Sequence, residues 1–137
     1  MTFTHESTTD EVLDGIDLSG RRIVVTGAAS GLGEESTRAL AAHGASVLML
    51  ARDPAKNDEA AARVRAEVPD AELSLDTLDL ADLASIRSFA GRFLDAGEPI
   101  DVLMNNAGVM ACPFGHTADG FEMQFGTNHL GHFELTR

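Results

Sequence analysis

The 137-residue chain contains no tyrosine and no tryptophan, and its only lysine is Lys56. A phenol side chain is therefore unavailable as an acid or a base. The only cysteine is Cys112, which excludes an internal disulfide and is typical of a reducing compartment. The chain also lacks an apolar run of about eighteen residues, and its acidic beginning does not resemble a signal or transit peptide. We therefore expect a cytoplasmic protein with no membrane partner.

Basic residues are scarce. The chain has 10 Lys and Arg against 22 Asp and Glu, a formal net charge of −12. That charge repels the backbone of nucleic acids and the surface of anionic membranes, so neither is expected as a partner. A small anionic ligand is still compatible, because backbone N–H groups at a helix start can hold phosphate in an acidic protein. With 44% hydrophobic residues, the composition is that of an ordinary globular domain.

The alternation of apolar runs and helical patterns predicts an α/β fold. Residues 1–19 are polar and are interpreted as a mobile or loosely docked lead-in, and the ordered domain is expected over residues 20–137. Strands are expected at 22–26, 45–50, 73–78 and 100–104, and helices at 34–43, 54–68, 83–96 and from about 120 onwards. Strands that alternate with helices form a parallel sheet through right-handed crossovers. The pattern therefore predicts a Rossmann-type, doubly wound parallel sheet.

The end of the chain resembles an interrupted sheet. The fourth predicted strand would be an exposed edge, and the last helix would have no later strand to pack against. We therefore expect the front half of a larger sheet, about four strands with their flanking helices, truncated at the C-terminus.

A glycine-rich turn joins the first predicted strand to the first helix. Gly27, Gly31 and Gly33 allow a sharp bend and let a pyrophosphate approach the free N–H groups at the helix start. Because alanine follows Gly27, the turn is not a hydrolase G-x-S-x-G elbow, and Ser30 is a poor nucleophile. A structural glycine turn is the alternative. The position inside a strand-turn-helix unit favours dinucleotide binding.

The end of the second strand bears on the choice between NADP and NAD. About twenty residues after the glycines, an acid would bind the ribose 2′-hydroxyl, whereas an arginine would accept a 2′-phosphate. Arg52 stands at that place and favours NADP. The alternative is that Asp53 binds the ribose of NAD. However, Asp53 directly precedes Pro54 and is also suited to cap the next helix.

Four motifs together resemble the short-chain dehydrogenase/reductase family, and most of all its branch with retinol dehydrogenases, the WW-domain oxidoreductase and protochlorophyllide reductase. They are the glycine turn, Leu78-Asp79-Leu80, Asn105-Asn106-Ala107-Gly108, and Asp119-Gly120-Phe121-Glu122 followed by Asn128-His129-Leu130-Gly131-His132-Phe133. The likeness runs from about residue 18 to residue 137. It covers about the front half of the family's domain.

The resemblance implies a role for each matching residue. Asp79 would accept a hydrogen bond from the adenine amino group, or would instead cap the next helix if Asp82 does not. Asn105 would lie beneath the nicotinamide ribose, with a plain Asn/Gly turn as the alternative. Asn128 matches the active-site asparagine whose backbone holds a water of the proton relay, and a solvated helical asparagine is the alternative. The implied cofactor-binding residues are Gly27, Ser30, Gly31, Leu32, Gly33, Arg52, Asp79, Leu80, Asn105, Ala107 and Gly108.

The resemblance also implies chemistry that these residues do not complete. In the family a serine and a Tyr-x3-Lys motif follow the asparagine, and the phenol acts as the acid or base. The chain has no tyrosine, and Lys56 lies on the second predicted helix. We therefore expect part of an NAD(P)-dependent oxidoreductase for a small alcohol or carbonyl substrate, inactive by itself. An inactive nucleotide-binding module or a gene remnant is the alternative.

The histidines and the cysteine are the candidate metal ligands and nucleophile of the sequence. His129 and His132 are three residues apart, with His116 and Cys112 upstream, but no carboxylate completes a recognisable metal-binding set. We therefore expect no metal site. Cys112 has no evident base in the sequence and is interpreted as an inert loop thiol. Because relatives commonly assemble through helices of this region, a homo-oligomer formed by the C-terminal helices is an expectation from the resemblance.

Overall fold

Four short apolar segments pair as a parallel sheet in the computed structural model, which describes residues 2–137. They are β1 (Arg22–Thr26), β2 (Ser46–Ala51), β3 (Leu73–Thr77) and β4 (Val102–Met104). The order across the sheet is β3-β2-β1-β4, so the chain crosses over β1 and β2 to reach the far edge. This arrangement confirms the predicted Rossmann-type α/β fold, with β4 at an edge of the sheet.

Helices flank the sheet and begin and end largely where local signals predicted. They are α1 (Thr9–Leu13), α2 (Gly31–Ala42), α3 (Pro54–Glu67), α4 (Leu83–Ala96), α5 (Met123–Phe125), a π-helical turn (Gly126–Gly131) and α6 (His132–Thr136). Asp53 caps α3 and Asp82 caps α4 through their side chains. Gly97 ends α4 in the left-handed conformation, at φ 65°.

Apolar side chains alternate between the two faces of the sheet. Val25, Val47 and Met49 belong to a buried cluster with Ala60 of α3. Val24, Leu48 and Leu50 belong to a second cluster, which contains Ile86 and Phe89 of α4. Period-two alternation with both faces covered is the packing of a doubly wound sheet. It leaves the carboxyl ends of the strands free to form a site.

The structure differs from the predicted elements most clearly in three places. The first long helix begins at Gly31 and not at residue 34, because the glycines themselves form its first turn. Strand β4 begins at Val102 and not at residue 100. The carboxylate of Asp101 accepts the Arg22 N–H at 2.8 Å, a bond that a strand carbonyl would otherwise make. The last helical region is divided into α5, the π-helical turn and α6.

The predicted lead-in contains a short helix that the sequence analysis did not anticipate; Met1 lies outside the described residues. Thr8 and Glu11 form a capping box at the start of α1. The Arg38 guanidinium on α2 donates to Asp10 at 2.9 Å and to Glu35 at 2.8 Å. The bond to Asp10, together with the one from the Thr9 hydroxyl to Glu35, docks α1 against α2.

Candidate functional site

The carboxyl ends of all four strands open into one cleft of about 770 Å³. Its lining comes from parts of residues 26–33 after β1, residues 50–56 at the end of β2, residues 78–80 after β3, and residues 106–109 after β4. Thr127 of the π-helical turn completes it. Ligands of open α/β sheets bind at this edge, where the connections on the two sides of β1 diverge.

Most of the predicted cofactor-binding residues lie at this cleft. Gly31, Asn105 and Asn128 are not part of its lining. Gly31 opens α2 next to the lining, and the Asn105 amide donates to the Thr136 hydroxyl at 3.1 Å. The nine that do line it are Gly27, Ser30, Leu32, Gly33, Arg52, Asp79, Leu80, Ala107 and Gly108.

The turn after β1 has no room for a side chain at Gly27 or at Gly33. Gly27 has a φ of +67°, and a Cβ atom there would lie 2.8 Å from the Ala107 Cα atom. A Cβ atom at Gly33 would overlap the Gly27 carbonyl and lie 2.7 Å from the Asn106 amide nitrogen. Gly27 and Gly33 therefore let the turn pack against the segment after β4 and against itself, whereas Gly31, at φ +56°, has no heavy atom within 4 Å of a Cβ position and leaves room for a pyrophosphate.

The start of α2 adds polar groups suited to an anion. Ser30 is the N-cap residue in an extended conformation, but its side chain makes no capping hydrogen bond. Its hydroxyl and the first N–H groups of this 12-residue helix border the cleft. Glu34 in the first turn is paired with Arg63 at 2.7 Å, and this hydrogen bond lowers the Glu34 pKa. The residues present therefore fit a dinucleotide phosphate.

Thr26 joins the segment after β4 to the end of β1. Its buried Oγ1 accepts hydrogen bonds from the backbone N–H groups of Asn106 and Ala107, each at 3.0 Å. The Asn106 side-chain amide returns a bond to the Thr26 carbonyl at 3.0 Å. These bonds hold the motif after β4 against the glycine turn and shape the middle of the cleft.

Two cationic side chains border the cleft beyond β2. Arg52 and Lys56 are both exposed and both contribute to its lining. Asp53 also lines the cleft, and its Oδ1 accepts the N–H groups of Ala55 at 3.0 Å and Lys56 at 3.3 Å. The sequence analysis missed Lys56 as a cleft residue. Its position in the first turn of α3 was the available signal, since helical side chains lean towards the N-terminus.

Asp79 is positioned at the end of the cleft by a local turn. Its Oδ1 accepts the Ala81 N–H at 2.9 Å, and its own N–H donates to Ser85 Oγ at 3.0 Å. Asp82 is the residue that caps α4, by accepting the Ala84 N–H at 2.8 Å. The alternative in which Asp79 caps this helix is therefore wrong.

Asn128 lies on the π-helical turn and is bonded at both ends. Its side chain accepts the Val109 N–H and donates to the Val109 carbonyl, each at 2.8 Å. Its own carbonyl accepts from His132 Nδ1 at 2.9 Å. The residue is exposed, but it is not merely solvated, because both side-chain polar atoms are bound to a residue that lines the cleft.

In the described part of the chain, the candidate metal ligands His116, His129 and His132 do not form a metal-binding cluster with other ligand side chains. Over residues 2–137, no three His, Cys, Asp or Glu side chains lie where they could together hold a metal ion. The His129 ring stacks on Phe125, and the His116 ring packs edge-on against Phe114.

Among the residues that the structure describes, no helix has both the length and the apolar character needed to cross a membrane.

Known proteins with related sequences are oxidoreductases by name. The chain is 47% identical to retinol dehydrogenase 12 of Mus musculus over 121 residues, which cover 88% of this chain and 38% of that protein. It is 46% identical to retinol dehydrogenase 13 of Homo sapiens over 119 residues, covering 87% of this chain and 36% of the relative. The chain therefore spans less than two-fifths of the length of these relatives.

Solved structures agree with the sequence relatives. A crystal structure of an uncharacterised Mycobacterium paratuberculosis protein superimposes with a TM-score of 0.76 at 48% identity, covering 88% of this chain and 41% of that one. A metagenomic short-chain oxidoreductase in complex with NADP has a TM-score of 0.72 at 32% identity, covering 88% and 55%. The family model described as short chain dehydrogenase matches residues 21–137. The chain belongs to the short chain dehydrogenase family.

Proposed function

We propose that this chain is the cofactor-binding part of an NADP(H)-dependent oxidoreductase that interconverts a small alcohol and its carbonyl compound. The observation that carries the proposal is the cleft itself. It combines a turn free of side chains at Gly27 and Gly33 with two cations, Arg52 and Lys56, at the end of β2. When bound, NADP(H) supplies or accepts the hydride.

The adenosine half of the cofactor is assigned to the β2 and β3 ends of the cleft. Arg52 and Lys56 neutralise a 2′-phosphate, which an otherwise acidic protein would repel. Asp79 accepts a hydrogen bond from the adenine amino group, and Leu80 lies beside it in the lining. The Ser30 hydroxyl and the first N–H groups of α2 hold the pyrophosphate.

The nicotinamide half is assigned to the segment after β4. Ala107 and Gly108 form the wall of the cleft there, and Asn105, directly after β4, is held by the bond from its amide to the Thr136 hydroxyl. Asn128 holds Val109, a residue of the cleft lining, in place through two hydrogen bonds, and we assign to its backbone carbonyl the water of the proton relay. The chain has no tyrosine, so the role we propose for its own residues is to bind and orient the cofactor.

Cofactor binding by the intact protein tests this function directly. NADPH fluorescence and thermal unfolding would be followed while NADPH or NADH is added. We expect saturable binding of both, tighter for NADPH, and a higher melting temperature at saturation. Unchanged fluorescence and melting temperature at saturating NADPH would contradict the proposal.

Arg52→Ala isolates the preference for NADP. Removing the charge that faces a 2′-phosphate should weaken NADPH binding about tenfold or more and leave NADH binding nearly unchanged. Arg65→Ala is the matched control, because Arg65 is another exposed arginine, on helix α3, but lies outside the lining of the cleft. Equal losses for the two cofactors would argue against a phosphate contact at Arg52.

Three further expectations from the sequence stay predictions. They are the choice of alcohol or carbonyl substrate, the cytoplasmic location, and self-association through the C-terminal helices. A gel-filtration measurement on the intact protein would address the last of these.

A further inference from the structure

His132 is a buried side chain to which the proposed function assigns no part. It is 7% exposed and lies at the start of α6, directly after the π-helical turn. Its Nε2 lies 2.9 Å from Thr26 Oγ1, and its Nδ1 lies 2.9 Å from the Asn128 carbonyl oxygen. The ring therefore connects the end of β1 to the turn that carries Asn128.

The bonds around the ring define which nitrogen carries the proton. The Asn128 carbonyl can only accept, so Nδ1 must be the donor. Thr26 Oγ1 already accepts two backbone N–H groups, as described above, so its own proton must point to a further acceptor. His132 Nε2 at 2.9 Å is nearer than the Met104 carbonyl at 3.4 Å. This pattern assigns the neutral ring with its proton on Nδ1.

The same ring bonds a carbonyl within the π-helical turn. In a regular α-helix the His132 backbone N–H would donate to the Asn128 carbonyl four residues earlier. In a π-helical turn the backbone bonds run between residues five apart, and residue 132 directly follows this turn. The His132 side chain supplies a donor to the Asn128 carbonyl, so one residue stabilises the π-helical turn through its ring. Such turns are rare and occur frequently at functional sites.

We propose that His132, as the neutral Nδ1–H tautomer, is a positioning residue that orients the Asn128 backbone carbonyl and fastens the π-helical turn to Thr26 beside the cofactor-binding turn. The proposal rests on the proposed function of the cleft. Its physical basis is that a buried, fully bonded imidazole between two elements is rigid, because either bond can break only by leaving a buried polar group unpaired. Asn128 then acts from a fixed backbone.

The tautomer is the first test and requires no cofactor. Long-range proton–nitrogen NMR spectra of the intact protein at neutral pH distinguish a protonated ring nitrogen from an unprotonated one. We expect the His132 signals to show a protonated Nδ1 and an unprotonated Nε2. A ring protonated on Nε2, or on both nitrogens, would overturn the proposal.

Two substitutions of His132 separate the effect of its hydrogen bonds from the effect of its ring volume. His132→Phe keeps a planar ring but removes both hydrogen bonds, whereas His132→Asn retains a donor at the place of Nδ1. We expect His132→Phe to weaken NADPH binding about five- to tenfold and to speed hydrogen exchange at Val109 by a similar factor, as loss of one or two hydrogen bonds implies. His132→Asn should recover a large part of both effects.

The control is the same pair of changes at His129, which is exposed three residues earlier on the π-helical turn. His129→Phe and His129→Asn should leave both measurements close to wild type. The proposal is wrong if His132→Phe changes neither measurement, or if His132→Asn is as damaging as His132→Phe. If His132→Phe does not fold, two other measurements decide. One is the tautomer of the wild-type ring. The other is NADPH binding, in which His132→Asn should keep a measurable part of the loss and His129→Asn should show none.

The outcomes also separate this proposal from the function on which it rests. Failure of the wild-type protein to bind NADPH would contradict the proposed function. The tautomer and the exchange rate at Val109 would still show whether His132 holds Asn128, because neither measurement involves the cofactor.

Discussion

The Asn128 side chain and the Val109 backbone form a reciprocal pair of hydrogen bonds, each 2.8 Å long. The amide of Asn128 thus pairs with a peptide group in the way that a neighbouring strand would. This pair ties the π-helical turn to the loop after β4, 19 residues earlier in the chain. It also explains why a residue that is unfavourable within helices stands at this position.

Removing this pair should loosen the loop after β4. We expect Asn128→Ala to lower the free energy of unfolding by about 1 kcal/mol, near the lower end for two hydrogen bonds because both are exposed. Hydrogen exchange at Val109 should become faster. Urea unfolding and exchange of the intact protein would measure both. Gln124→Ala on α5 is the control, and equal effects from the two substitutions would argue against a specific clamp.

Two helical glycines allow a matched comparison, because an added Cβ atom would meet other atoms at Gly33 and open space at Gly91. Gly33 lies in the first turn of α2, where an added methyl group would overlap the Gly27 carbonyl. Gly91 lies within α4, where a Cβ atom would have no heavy atom within 4 Å. We expect Gly33→Ala to destabilise the protein by about 1–3 kcal/mol and to weaken NADPH binding.

For Gly91 we expect a change in the free energy of unfolding of the opposite sign. Gly91→Ala should stabilise the protein by roughly 0.5–1 kcal/mol, because alanine has the higher helix propensity and no packing obstacle. Chemical denaturation of both variants would give the two differences in free energy. A stabilising Gly33→Ala would mean that the turn after β1 is not closely packed at this position.

Features built from neighbouring residues could be predicted from the sequence. Val24 and Val25 belong to a β-branched run that predicted β1, and Asp53 before Pro54 predicted the start of α3. The glycine turn and the motif after β4 meet at the cleft, because the carboxyl ends of parallel strands share one edge. Local signals and this topological rule were sufficient for most of the candidate site.

Features built from distant residues could not be predicted. The π-helical turn has no periodicity of its own, and it depends on contacts of Asn128 with Val109 and of His132 with Thr26, which lies 106 residues away. The docking of α1 depends on Arg38 of α2 in the same way. The Thr8 and Glu11 capping box was a local signal for α1 that the sequence analysis overlooked.

The Glu35 carboxylate should make stability depend on acid pH. Hydrogen bonds from Arg38 and then from Thr9 lower the pKa of Glu35 from 4.5 to about 2. A lowered pKa in the folded state means that the ionised form stabilises folding. This stabilisation is complete above about pH 4.5 and is lost as the pH falls towards 2. It should be modest, since the side chain is 45% exposed.

Glu35→Gln tests this dependence on pH. The wild type should be more stable than the variant at neutral pH, and the difference should shrink between about pH 4.5 and pH 2. Denaturation of both proteins over that range would measure it. Glu72→Gln, an exposed position before β3, serves as the control. A difference that is independent of pH would mean that the Glu35 charge contributes nothing.

The Asp53 carboxylate, next to Arg52, offers a second test of the choice between NADP and NAD. Asparagine caps helices about as well as aspartate, so Asp53→Asn should preserve α3 while removing a negative charge beside Arg52. If a 2′-phosphate binds there, we expect NADPH binding to tighten about two- to fivefold with little change for NADH. Fluorescence titrations with both cofactors would measure the preference.

Asp53→Ala provides the contrast, because it removes the charge and the cap together and should cost about 1 kcal/mol of stability. A loss of NADH binding in Asp53→Asn, with no gain for NADPH, would instead assign the carboxylate to the ribose hydroxyls. In that case NAD would be the cofactor, and the exposed Arg52 guanidinium would have no phosphate to neutralise. The NADPH and NADH affinities of Asp53→Asn relative to wild type therefore decide between the two cofactors. A higher NADPH affinity with little change for NADH indicates NADP. An unchanged NADPH affinity with weaker NADH binding indicates NAD.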